Sequence, residues 1–227
     1  MLSALLTWVL YVVPYGHVVV VPLLWLSTLV HELGHGFTAL LVGGRFDSIV
    51  VSMDGSGVAQ TATGSTIGGA LVAAGGLIGP AVGAAACFAV SRTPRGAVLA
   101  LMVSVGTLVA VDVLWMSNLF GVVFTASLAA VLGWVGTRWS PESVRVVMSF
   151  LGVQLALAVF QRSDYLFMPV AHTARGDMPS DVALIARALW LPIPVWGTLI
   201  GLASSAVLVW GLWWSMGPWP SFRRSAR

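Results

Sequence analysis

Two histidines and a glutamate lie within five residues of each other, in the segment His31-Glu32-Leu33-Gly34-His35. On an α-helix, positions i and i+4 are about 40° apart around the axis and about 6 Å apart along it. Both imidazoles can therefore reach one zinc ion from the same face. Glu32 lies on the adjacent face, where its carboxylate can accept a proton from a water at that ion. The pattern predicts zinc ligation by His31 and His35, with Glu32 as general base.

A catalytic zinc site needs a third protein ligand, and no further histidine lies close to the motif. The remaining acidic residues are Asp47, Asp54, Asp112, Glu142, Asp164, Asp177 and Asp181. Asp47 and Asp54 belong to a turn-rich segment, where they suit the turn. Glu142 falls on the opposite side of the predicted membrane domain. Asp112 and Asp164 both approach the side on which the motif lies.

The composition indicates the environment in which these residues lie. Only 8% of the 227 residues are charged and 58% are hydrophobic, whereas an average soluble domain carries about 25% charge. This excludes an ordinary soluble enzyme, a disordered chain and a nucleic-acid-binding protein. The single cysteine, Cys87, excludes a disulfide framework and a cysteine-based zinc site within one chain. We predict an integral membrane protein, in which titratable groups inside a helix mark a functional site.

The apolar segments predict an all-α polytopic membrane protein with about six transmembrane helices. A spanning helix needs about 20 apolar residues, and the candidates are 17–42, 67–90, 96–116, 119–137, 143–161 and 192–216. There are five spans if 96–137 forms an unusual helical pair. Residues 2–13 are too few to span alone. Residues 45–63 predict a short membrane-associated β-hairpin, because two β-prone runs flank the turn Asp54-Gly55-Ser56-Gly57.

The arginines predict the orientation. In the six-span topology, seven lie on the side of the C-terminal tail and four on the other side. The positive-inside rule then places the C-terminus in the cytoplasm of a multi-pass protein of the cell membrane.

The HELGHG motif on an early helix, the hairpin with Asp54-Gly55-Ser56-Gly57, and the small-residue segment 74–80 resemble the site-2 protease family of intramembrane zinc metallopeptidases. The likeness is closest to the compact bacterial branch without PDZ or CBS domains, which implies one domain over residues 1–227. It also implies one catalytic Zn²⁺, held by His31, His35 and a distant aspartate, and water activation by Glu32.

The third ligand follows less directly from the resemblance. The family places an Asp-Gly pair after an Asn-x-x-Pro element, which this sequence lacks. Segment 160–167 stands in its place, so we predict Asp164 as the ligand, with Asp112 and Asp181 as alternatives. Asp181 otherwise suits a helix N-cap. For His172 we expect a solvent-exposed or capping role.

These features predict an endopeptidase that cleaves a peptide bond within or beside the bilayer. The resemblance implies single-pass membrane proteins as substrates. The edge of the 46–63 hairpin offers a place where an extended substrate segment can add as a strand. Two alternative functions also involve a bound metal ion. One is a hydrolase that acts on a lipid or small amide, and the other is a catalytically silent metal-binding scaffold.

Overall fold

The structure is a computed structural model that describes residues 17–161, 163–174 and 176–217. Five helices in this part of the chain are long and apolar enough to cross a membrane. They are α2 (Thr66–Val90), α3 (Pro94–Leu114), α4 (Leu119–Arg138), α5 (Pro141–Gln161) and α7 (Ile193–Met216). The mostly α-helical, polytopic membrane fold is thereby confirmed. The apolar segment 2–13 and the C-terminal tail lie outside the described residues.

The sixth predicted span corresponds to α1 (His17–Leu41), which carries the HELGH segment. It is 25 residues long. Its first half is apolar, and its second half carries His31, Glu32 and His35.

Helix α2 lies at the centre of the fold, where it packs against α1, α5, α6 (Asp181–Leu189) and α7. Half of its most apolar window is buried, against 22–28% in the other four spans. Small residues make this packing possible, since they allow helix backbones to approach closely. A Cβ atom on Gly34 of α1 would lie 2.9 Å from the carbonyl carbon of Gly75, so α1 crosses α2 in nearly direct backbone contact.

The predicted hairpin consists of strands β1 (Arg45–Val51) and β2 (Gly57–Ala62), which pair antiparallel. Its turn is attached to α1, because Trp25 donates to the Met53 carbonyl at 3.0 Å and Thr28 donates to the Gly55 carbonyl at 2.6 Å. Asn118, at the start of α4, holds the other edge of β1: its amide nitrogen donates to the Val51 carbonyl at 2.8 Å. The hairpin is therefore fixed to α1 on one side and to the start of α4 on the other.

A second hairpin, which the sequence analysis did not predict, lies between α5 and α6. After a 3-10 helix (Ser163–Phe167), strands β3 (Val170–Thr173) and β4 (Gly176–Pro179) pair antiparallel around a tip where Gly176 has a φ of 105°. The tip meets the first hairpin, because the Ala174 N–H donates to the Ser56 hydroxyl at 3.1 Å. The hairpin returns the chain to the centre of the fold at Ser180, where α6 begins.

Candidate metal and catalytic site

Three side chains from two distant parts of the chain converge at the contact between α1 and α2. The Nε2 atoms of His31 and His35 are 3.1 Å apart. The Asp181 carboxylate, 150 residues from His31, lies 3.2 Å from His31 Nε2 through Oδ2 and 3.4 Å from His35 Nε2 through Oδ1. Among the described residues, these three form the group whose ligand atoms are close enough to hold a metal ion.

The His35 ring is held in place by α2. Its Nδ1 lies 2.9 Å from the carbonyl oxygen of Val72, which accepts the ring N–H. This hydrogen bond leaves Nε2 free to bind a metal, an orientation typical of metal-binding histidines. The ring lies against Gly76, where any side chain would collide with it.

The local structure of the chain before α6 presents Asp181 to the histidines. Ser180 is fully buried; its hydroxyl accepts from the Ala183 N–H as the cap of α6 and donates to the Met168 carbonyl. Asp181 is then the first residue of the helix rather than its cap. Burial alone would raise the pKa of the Asp181 carboxyl, but the His35 and His31 imidazoles beside it hold that pKa well below its usual range. Asp181 therefore faces the histidines as a carboxylate.

Glu32 lies beside this cluster, with 4% of its surface exposed, and the first hairpin covers it. The Ala59 N–H of β2 faces its carboxylate. A Cβ atom on Gly57 would lie 2.7 Å from Glu32 Oε1, so the strand passes directly against the carboxylate. The hairpin thus holds Glu32 and separates it from solvent.

Two cavities of about 390 and 270 Å³ meet at the cluster, and both are lined by His31, Glu32 and Tyr165. The larger one extends between the tips of the two hairpins, and the smaller one runs along β2 past Val58, Ala59 and Thr61. A polypeptide that occupied both cavities would pass next to Glu32.

The other residues considered from the sequence lie outside the cluster. Asp164, predicted as the third ligand, is exposed on the 3-10 helix and lines the larger cavity, while Asp181 occupies the place beside the histidines. Asp112 lies near the end of α3, and its Oδ1 atom has no hydrogen-bond partner among the described residues. His172 is exposed and pairs with Asp177 at 2.6 Å.

The remaining acidic side chains have other contacts. Asp54 accepts hydrogen bonds from the hydroxyl and backbone N–H of Ser56 in the first hairpin turn. Asp47 pairs with Arg45, and Glu142 pairs with Arg145 one turn along α5.

The donor set suits zinc. Ligands at about 2.0–2.1 Å in a tetrahedron are about 3.3 Å from one another, and the two imidazole nitrogens here are 3.1 Å apart. The Asp181 carboxylate approaches His31 through Oδ2 and His35 through Oδ1. Two imidazoles and one carboxylate also match the ligand set of catalytic zinc sites with an open fourth position.

The family model for Peptidase M50B-like proteins matches residues 1–211, which is most of the chain. The chain belongs to this family. Membership confirms the resemblance to the site-2 proteases and supports a peptidase activity in a multi-pass membrane protein. No curated protein and no solved structure matches the chain significantly.

Three contributors to the site were missed in the sequence. The carbonyl of Val72 and the N–H of Ala59 are backbone groups, so no residue type could reveal them. Tyr165 donates to Asp181 at 3.4 Å; the available signal was its position directly after Asp164, in a segment already suspected of contributing to the site.

Proposed function

We propose that the chain is a zinc-dependent intramembrane endopeptidase with His31, His35 and Asp181 as ligands and Glu32 as general base. The observation that most supports this is the convergence of two imidazole nitrogens and one carboxylate beside a buried glutamate. Asp181 takes the role that the sequence had favoured for Asp164, because its carboxylate contacts both histidines.

Different residues of the chain have different roles in the proposed reaction. Zinc, when bound, supplies a Lewis acid for the scissile carbonyl and lowers the pKa of a water molecule. Glu32 accepts the proton of the attacking water on its carboxylate and returns it to the leaving amine. The Ala59 N–H faces this carboxylate, and the Val72 carbonyl keeps His35 Nε2 directed at the ligand position.

The outer edge of β2 is the proposed place for the substrate backbone. Ile49 and Ala59 are directly opposite each other in the hairpin. Ile49 directs its backbone groups away from β2, since its N–H donates to the Trp115 carbonyl and its own carbonyl accepts from Ser117. In an antiparallel ladder the opposite residue then also faces outward, so the edge of Ala59 faces Glu32.

This arrangement favours an extended polypeptide as the substrate. A transmembrane helix satisfies its backbone groups internally, so a segment must unwind before it can add to β2. The β2 edge then offers hydrogen bonds that replace part of those lost. We propose single-pass membrane proteins as substrates and the bilayer as the second partner; we expect no role for nucleic acids.

The decisive test compares Glu32→Gln with Glu142→Gln in the purified, detergent-solubilised chain. These are the two glutamates of the sequence, and Glu142 is exposed at the start of α5. Metal content is measured by elemental analysis. Hydrolysis is measured on fluorescently labelled casein and on a reconstituted single-pass peptide. We expect one zinc per chain in both variants and loss of hydrolysis in Glu32→Gln alone.

The third ligand is tested by the pair Asp181→Ala and Asp164→Ala. We expect zinc to be lost from the Asp181 variant and retained by the Asp164 variant. The opposite pattern would restore Asp164 as the ligand. Wild-type protein without stoichiometric zinc would exclude the enzyme, and zinc without hydrolysis of either probe would favour a metal-binding scaffold. Release of fatty acid from the surrounding lipid would favour a lipid hydrolase.

A further inference from the structure

The Tyr165 side chain contacts two of the three proposed ligands. Its hydroxyl lies 3.4 Å from Asp181 Oδ2, to which it donates. Its ring meets the His31 imidazole edge-on, with 6.5 Å between centroids and 80° between planes. The phenol O–H is the donor of this contact, and the Asp181 carboxylate is the acceptor.

The two oxygens of Asp181 have different surroundings. Oδ1 faces His35 Nε2, whereas Oδ2 lies near both His31 Nε2 and the Tyr165 hydroxyl. A carboxylate can bind a metal through one oxygen or both, and hydrogen bonds to metal-binding carboxylates fix which is used. The phenol hydrogen bond occupies a lone pair of Oδ2 and restricts rotation about χ2.

The ring and the hydroxyl of Tyr165 have separable roles. The ring packs against the apolar cluster of α2, α6 and α7 that includes Leu77, Val182 and Ile200. Ser180 already holds the backbone of Asp181 through the α6 cap. The hydroxyl of Tyr165 therefore adds only the orientation of the carboxylate.

We propose that Tyr165 is a positioning residue that holds the Asp181 carboxylate so that one oxygen, Oδ1, is presented to the metal. This rests on the proposed function, because it requires a metal ion at the cluster. The hydroxyl sets metal affinity and coordination number through Asp181; it does not itself bind the ion or the substrate.

The test is Tyr165→Phe, which removes one oxygen atom and keeps the ring. Zinc affinity is measured by chelator competition, and the metal geometry by the visible absorption of the Co²⁺-substituted protein. We expect zinc affinity to fall about 10- to 100-fold. We also expect weaker Co²⁺ absorption, because a carboxylate free to use both oxygens raises the coordination number.

Thr198→Val is the matched control. It removes one exposed hydroxyl that donates to the Pro194 carbonyl within α7, and Thr198 lines neither cavity. Wild-type zinc affinity and an unchanged Co²⁺ spectrum in Tyr165→Phe would overturn the positioning role. If hydrolysis fell nevertheless, the hydroxyl would act on the substrate instead. Absence of zinc from wild type and variant alike would overturn the proposed function itself, together with this role.

Discussion

Gly76→Ala tests whether the contact between α1 and α2 positions the metal ligands. An alanine Cβ at this position would lie 2.6 Å from His35 Nδ1 and still closer to Cε1 and Nε2. Carbon atoms in unstrained contact are about 3.5–4.0 Å apart, so the ring or α2 must move by about 1 Å. The ring cannot rotate away freely, because Val72 holds Nδ1 and the other two ligands surround Nε2.

A shift of this size has a predictable consequence for activity. Misplacement of a catalytic group by about 1 Å can cost about 100-fold in rate. We expect a loss of this order in casein hydrolysis by Gly76→Ala, together with weaker zinc binding. Overpacking costs about 1–3 kcal/mol of stability, which a thermal unfolding experiment in detergent would detect without loss of the fold.

The matched control is Gly106→Ala, a glycine inside α3 whose added Cβ would meet nothing within 4 Å. Alanine there should be neutral or slightly stabilising, because glycine is the poorer helix former. Gly76→Ala protein with wild-type zinc affinity and hydrolysis would refute the view that α2 fixes the position of His35.

Two further predictions concern the first hairpin. Asn118→Ala removes both hydrogen bonds between the Asn118 amide and the Val51 backbone, and it should destabilise the hairpin by about 1–3 kcal/mol. We expect faster hydrogen exchange confined to residues 45–62. Unchanged exchange in these residues would contradict the prediction. The hydroxyl and backbone hydrogen bonds from Ser56 hold the pKa of the Asp54 carboxyl below its ordinary value. The ionised Asp54 carboxylate therefore stabilises the turn at pH values above the ordinary aspartate pKa. This stabilisation is lost as the pH falls through the lower pKa that Asp54 has in the folded protein. Ser56→Ala should raise the pKa of Asp54 towards its ordinary value in an NMR titration, and an unchanged midpoint would show that the hydroxyl contributes nothing.

Much of the framework could be predicted from residue types, because its signals are local. Apolar length marks the spans, and Asp54-Gly55-Ser56-Gly57 marks the turn of the first hairpin. The spacing of His31 and His35 places both imidazoles on one face of α1, and the Val72 carbonyl of α2 then orients the His35 ring.

The proposed third ligand, Asp181, could not be predicted in the same way, because its position depends on how residues 163–180 fold back. The position of Asp164 directly after α5 predicts a place close to the site, yet the 3-10 helix leaves it exposed. The strands that return the chain have four residues each, and Pro179 and Gly176 within β4 are unusual in strands. Such a short hairpin has little local signal, and it is this hairpin that delivers Asp181.

The hydrogen bond between the Ala174 N–H and the Ser56 hydroxyl has a consequence for how a substrate reaches Glu32. It joins the tips of two hairpins that line the same cavity. A protein with folded domains at both ends cannot thread through such a closure lengthwise, whereas a chain with a free end can. Entry of a substrate segment between the tips therefore requires this hydrogen bond to break, at a cost of about 1 kcal/mol.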